Sequence, residues 1–285
     1  MNGIVHRLKA VMLMAVVLMG VNVVYGCGSK ASMPDMSSMG AIKAVAREDG
    51  SGTRNEFYRI IGAGDGAGST VASSTDDMYK TIASDRNAIG YVAYNSIKND
   101  KDIKVLSVDG KQPDNDAIRF NQYPLIRSYY MAYMGEPDGL MQDFIRYVMT
   151  AGQDIVGKSC VAINSSSVFL SDKSSGKLRI GGSSSVAPIM QELIDDYKKY
   201  NPDAEINLYI SDSSDGLNKT INGELDIALS SRELKDYENE LLNSQAIGKD
   251  AIAVIVNADN PVTSLTKAQL KKIYNGSTST WQELR

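Results

Sequence analysis

Hydrophobic positions along the chain recur with two periods. Within 140–151, Met141, Phe144, Ile145 and Val148 fall at i, i+3, i+4 and i+7, which predicts an amphipathic helix. Within 186–200, Ile189, Met190, Leu193 and Tyr197 form a second such stripe, with Pro188 suited to a first turn and Asn201-Pro202-Asp203 as a stop. Helices are also predicted over 55–61 and over 75–83, the latter with Thr75 as N-cap and Asp76 and Asp77 in its first turn. Short apolar runs predict strands at 41–46, 87–94, 103–108, 123–133, 177–180, 205–210 and 225–229. The aromatics of 123–133 fit sheet packing better than a base-stacking platform. Polar Gly/Ser stretches at 62–74 and 164–176 read as a loop and a linker. Strands alternating with helices predict an α/β fold.

The polar residues at the strand ends carry the candidate chemistry. The run Arg47-Glu48-Asp49-Gly50-Ser51-Gly52-Thr53 joins a strand to a helix. Gly50 and Gly52 allow a tight turn and close approach to a ligand. Ser51 and Thr53 supply hydroxyls, and the N–H groups of a helix start favour an oxyanion. Arg47 adds a planar fork of donors. Asp49 is expected to orient Arg47 or to accept a proton from a protonated ligand. The same order of strand, Ser/Gly turn and helix recurs around Ser184 and Ser185 and around Ser213, and Ser231 ends a further strand. One Ser-rich turn says little, because Ser favours loops everywhere. Several at strand ends, with one well-placed arginine, point to an anion site.

Composition narrows the field. The formal net charge is −4 over 285 residues, which argues against a nucleic-acid surface and requires any anion site to be built locally. The single histidine, His6, lies in an N-terminal segment that reads as a secretion signal over 1–26: a positive start, then an apolar stretch, then a small residue before Cys27. That segment resembles a bacterial lipoprotein signal, which implies lipidation of Cys27 and a tether over 27–40, anchoring the protein to the outer face of a membrane. Cys160 then has no partner and reads as a buried small hydrophobe. Once His6 leaves with the signal, an ordinary zinc site or a His-dependent triad cannot be built, so no metal, no cofactor and no enzymatic activity are expected.

Together these motifs resemble the phosphate-binding proteins of bacterial phosphate ABC transporters. The Arg47–Thr53 run resembles that family's signature loop. Gly181-Gly182-Ser183-Ser184-Ser185-Val186-Ala187-Pro188 resembles its N-terminal loop. The segments around Ser213 and Ser231, Ala88-Ile89-Gly90-Tyr91-Val92, Tyr123-Pro124-Leu125, and Lys272-Ile273-Tyr274-Asn275-Gly276 with Trp281 also fit. The resemblance implies a two-lobed periplasmic-binding-protein-like (type II) fold with the ligand in the cleft and hinged closure. It implies phosphate held by Arg47, Ser51, Gly52, Thr53, Ser184, Ser185, Ser213 and Ser231, with Asp49 behind them. Permease subunits of the transporter are the implied partners. The family often carries a carboxylate where this chain has Ser231, so the acceptor for a ligand proton falls to Asp49, Glu233 or Ser231 itself.

The order of the parts differs from the family's, since the Arg47 half precedes the Ser184 half. A circularly permuted chain accounts for this, with residues 164–176 joining the ancestral ends. A truncated tandem and a swapped dimer are the competing accounts. In the permuted reading, one lobe is assembled from 41–126 plus 246–285, and the other spans 127–245. The expected function is extracytoplasmic phosphate binding and delivery. The alternatives are a receptor for sulfate, molybdate or tungstate, and a non-transport or degenerate surface lipoprotein.

Overall fold

A computed structural model describes residues 35–64, 70–97 and 101–284. The signal segment, Cys27 and the tether up to residue 34 lie outside the described residues. In chain order the first half runs β1 (Lys43–Arg47), α1 (Gly52–Ile61), β2 (Thr70–Ala72), α2 (Thr75–Ser84), β3 (Ala88–Ala93), β4 (Ile103–Val105), β5 (Ser107–Val108), α3 (Asn115–Arg119), β6 (Ile126–Tyr133), α4 (Gly139–Met149), α5 (Gln153–Ser159) and β7 (Val161–Ala162). The second half runs β8 (Lys177–Ser183), α6 (Ala187–Tyr200), β9 (Glu205–Ser211), α7 (Ser213–Ile221), β10 (Ile227–Ser230), α8 (Asp236–Leu241), β11 (Asn243–Asn257), β12 (Ser264–Leu265) and α9 (Lys267–Tyr274).

The main sheet has the order β2-β1-β3-β11-β6-β10-β8-β9. β2, β1 and β3 are parallel neighbours, as are β10, β8 and β9. Between these two parallel sets lie β11 and β6, antiparallel to each other and to their outer neighbours. The 15-residue β11 joins the two halves of the fold. Its first part pairs with β6 from Asn243↔Tyr133 to Ala251↔Ile126, and its second part pairs with β3 from Ile252↔Ala93 to Val256↔Ile89. The segment 251–256 is fully buried, and its β-branched and small side chains suit a strand covered on both faces.

The apolar core divides along the same line. One cluster gathers Phe57, Tyr91, Tyr274 and Trp281 with the second part of β11, and the Phe57 and Tyr91 rings stack at 4.0 Å. The other gathers Phe144, Tyr147 and Tyr197 with Leu178, Ile180 and Ile247. Both predicted helical stripes face this second core: Ile189, Met190, Leu193 and Tyr197 are all buried, as are Phe144 and Val148. Cys160 is buried there too, and burial pushes its thiol pKa up.

Several expectations need correction. Within the expected tether, Met36 and Met39 are buried in the first core, and Gln282 Nε2 donates to both their carbonyls at 2.9 and 2.6 Å. The small polar residues around them hid two apolar anchors. The cap of α2 is Ser74, not Thr75, and its hydroxyl accepts from Asp77 N at 3.1 Å. Segment 164–176 lacks helix and strand as expected of a linker, yet it is pinned. Phe169 is buried and packs against Tyr147 and Tyr200, while Ser171 Oγ donates to the buried Asp143 at 2.6 Å.

Candidate functional site

The C-terminal ends of β1, β8, β9 and β10 converge, as expected for loops beyond the carboxyl ends of parallel strands. β1 delivers Arg47, whose backbone N–H donates to Tyr91 Oη at 3.2 Å. After Arg47 the chain turns through Gly50, at φ 84°, and Ser51 caps α1 by accepting from Arg54 N at 3.3 Å. α1 starts earlier than its sequence pattern predicts, so Gly52 and Thr53 lie in its first turn. On the other side, Ser184 and Ser185 lie just before Val186, the N-cap of α6, and Asp212 caps α7 so that Ser213 opens that helix. Three helix N-termini therefore come together here, and each carries the partial positive charge of a helix start.

The hydroxyls make direct contact across the two halves. Thr53 Oγ1 lies 3.0 Å from Ser185 Oγ, and Arg47 Nη2 donates to Ser184 Oγ at 3.3 Å. Ser213 Oγ accepts from Ser231 N at 3.1 Å and lies 3.4 Å from Ser231 Oγ. Gly52 fits against this pair: a Cβ there would lie 2.5 Å from Ser231 Oγ and closer still to Ser213 Oγ. Gly50 likewise faces Asp212, whose carboxylate would sit 2.6 Å from a Cβ. Arg47, Ser51, Gly52, Thr53, Ser185, Ser213 and Ser231 are buried, and Ser184 is half-buried. The structure thus brings together all eight residues expected to hold an anion.

Asp49 is the exception among the expected site residues. Its side chain is 97% exposed and faces Arg54 Nη1 at 3.4 Å. Its neighbour Glu48 engages Arg47, taking Nε and Nη2 at 2.7 Å each. The reason is one of register. The strand ends at Arg47, so the next side chain folds back onto the guanidinium and the following one points to solvent. Arg47 Nη1 donates to Thr75 Oγ1 at 3.0 Å. Glu233, the other carboxylate considered as an acceptor, is exposed.

A charged network behind the hydroxyls was missing from the sequence reading. Arg127 on β6 and Asp250 on β11 are direct partners in the ladder, and both side chains are 0% exposed. Arg127 Nη2 donates to Asp250 Oδ2 at 3.1 Å, and Tyr129 Oη donates to the same oxygen at 2.5 Å. Asn95 N donates to Asp250 Oδ1 at 3.1 Å, while its side-chain amide donates to Ser185 O at 3.1 Å. Burial and the neighbouring Asp250 raise the Tyr129 pKa well above its ordinary value, so the phenol stays a donor. The available signal was a charged residue inside each of two apolar strand runs, because such residues are rarely buried without a partner.

The PBP superfamily domain matches residues 32–151 and 167–284. The chain belongs to the PBP superfamily. Within that superfamily, the chain is 34% identical to phosphate-binding protein PstS 2 of Streptococcus agalactiae serotype V, over 94% of each chain. It is 32% identical to phosphate-binding protein PstS 2 of Streptococcus pneumoniae serotype 4, over 97% of this chain and 99% of that one. A crystal structure of the phosphate-binding protein of a phosphate ABC transporter from Streptococcus pneumoniae TIGR4 superposes with a TM-score of 0.71 at 32% identity, covering 86% of this chain and 100% of that one. The two-lobed α/β architecture of this PBP chain is thus shared with a phosphate-binding relative.

Proposed function

We propose that this chain binds inorganic phosphate outside the cytoplasmic membrane and hands it to the permease subunits of a phosphate ABC transporter. The observation that carries the reading is the convergence of Arg47, Thr53, Ser184, Ser185, Ser213 and Ser231, from both halves, at three helix N-termini. The relatives named as phosphate-binding proteins support it across nearly the whole chain. In this reading, a tetrahedral oxyanion exchanges the hydroxyl-to-hydroxyl contacts for hydroxyl-to-oxyanion bonds. Arg47 supplies the charge-assisted donors, and the N–H groups after Ser51, Ser185 and Asp212 supply the dipoles. Opening and closing of the two halves about β6 and β11 admits and buries the ligand. Lipidation at Cys27 would hold the receptor at the membrane.

A second reading is a receptor for another oxyanion. It draws on the exposure of both Asp49 and Glu233, which leaves Ser231 as the acceptor for a ligand proton. A hydroxyl discriminates less sharply than a carboxylate, because it does not repel sulfate. A thermal-shift series separates the two. Phosphate at 100 times its Kd is expected to stabilise the protein by about 2.7 kcal/mol, raising Tm, with no comparable rise from sulfate, molybdate or tungstate at the same concentration. A larger shift with one of those anions would favour the second reading.

A further inference from the structure

The guanidinium of Arg127 is built into the barrier between the hinge strands and the anion site. Asp250 and Tyr129 occupy Nε and Nη2, at 3.3 Å and 3.1 Å to Asp250 Oδ2 and 3.2 Å to Tyr129 Oη. Nη1 turns the other way. It donates to Thr53 Oγ1 at 2.7 Å and to the Ser231 carbonyl at 3.3 Å, so one nitrogen touches loops from both halves of the fold. A guanidinium has no acceptor, so Thr53 Oγ1 accepts in that contact. The one hydrogen of the Thr53 hydroxyl must then point elsewhere. Its other close partner is Ser185 Oγ at 3.0 Å, which lies on the site side.

We infer that Arg127, held by Asp250 and Tyr129, is a positioning residue that fixes the Thr53 hydroxyl as a donor to the bound oxyanion. The inference rests on the oxyanion reading above and assigns Arg127 a role within it. Without Arg127, the Thr53 hydroxyl could rotate and present a lone pair to the anion, which repels it. Replacing both members of a buried ion pair with neutral groups often costs a fold little. Arg127 differs from such a packing pair in spending its remaining donors on Thr53 and Ser231, away from Asp250.

The test is a double-mutant cycle on the full chain, read as phosphate Kd. The arms are wild type, Thr53→Val, the paired variant Arg127→Gln with Asp250→Asn, and all three substitutions together. The paired variant leaves no lone buried charge. Thr53→Val and the paired variant are each expected to weaken binding about tenfold, and the triple variant is expected to bind as Thr53→Val does, within about twofold. Losses that multiply would show that Arg127 acts independently of Thr53 and would overturn the inference. Wild-type affinity in the paired variant would overturn it as well. Should the paired variant not fold, Arg127→Lys replaces it. The ammonium keeps the charge but not the fork, so the same tenfold loss and the same lack of a further effect with Thr53→Val are expected. Absence of phosphate binding by the wild type is a separate outcome, which removes the underlying reading of the site.

Discussion

Arg47 is almost wholly buried, yet its partners are hydroxyls and one half-exposed carboxylate. Glu48 pairs the charge, and the hydroxyl contacts of Nη1 and Nη2 with Thr75 and Ser184 are the ones a bound anion would take over. Arg47→Ala is therefore expected to reduce phosphate affinity by at least about a hundredfold while leaving the far-UV circular dichroism unchanged. An unchanged Kd would remove Arg47 from the site. Gly52→Ala tests the closed contact from the other direction. Alanine suits a first helical turn, but its methyl group would collide with Ser213 and Ser231. Affinity for phosphate is expected to fall about tenfold or more with no loss of secondary structure, and retained affinity would show that the two loops do not meet in the bound state. That these residues would come together was legible because hydroxyls, glycines and an arginine at strand ends have few structural uses in common. The roles of Glu48 and Asp49 were not, because a one-residue difference in where β1 ends exchanges them. Arg127 and Asp250 were hidden because their partnership exists only once β6 and β11 pair.

Among the elements, the helices with a complete apolar stripe were legible. The strap over 164–176 was read correctly as irregular, but its anchorage was not visible from composition. That anchorage centres on Asp143 of α4, which accepts from the hydroxyls of Ser171 and Tyr197 and from Asp172 N, beside Arg146. Burial alone would push the Asp143 carboxyl up. The bonds from Ser171, Tyr197 and Asp172, with the Arg146 charge, outweigh it and hold the carboxyl below its ordinary value. A carboxylate whose pKa is lower when folded adds stability above the unfolded value of about 3.9, and that stability is lost as pH falls below it. Wild type is thus expected to melt above Asp143→Asn at about pH 6, with the gap closing below about pH 4. A pH-independent gap in Tm would show that the Asp143 charge does not hold the strap.

At the scale of the molecule, the order of the parts is the remaining question. The two ends of the described chain lie side by side: Ile42 N donates to Ser279 O at 2.8 Å, Ala41 bridges Thr280, and Gln282 Nε2 donates to Met36 O at 2.9 Å. We propose that this order, which the PstS 2 relatives share nearly end to end, arose by circular permutation, since adjacent surface ends are what such a rearrangement requires. A chain opened within 164–176 and closed by a short linker between residues 284 and 41 is expected to fold and to bind phosphate with the parent affinity. Failure of that chain to fold would count against the proposal. The fold class followed from alternation of strands and helices. The meeting of the two halves around Gly52 could not be read from the sequence, because it depends on side-chain contacts between loops more than 150 residues apart.

The central claim is that hydroxyls and helix starts from both halves, with Arg47, form one phosphate site. The most direct test is calorimetric titration of the purified protein with phosphate, repeated in excess sulfate, alongside its mass in solution. The account predicts saturable binding of one phosphate per monomer that sulfate does not displace. No heat of binding at any phosphate concentration, or binding only by a dimer, would contradict it.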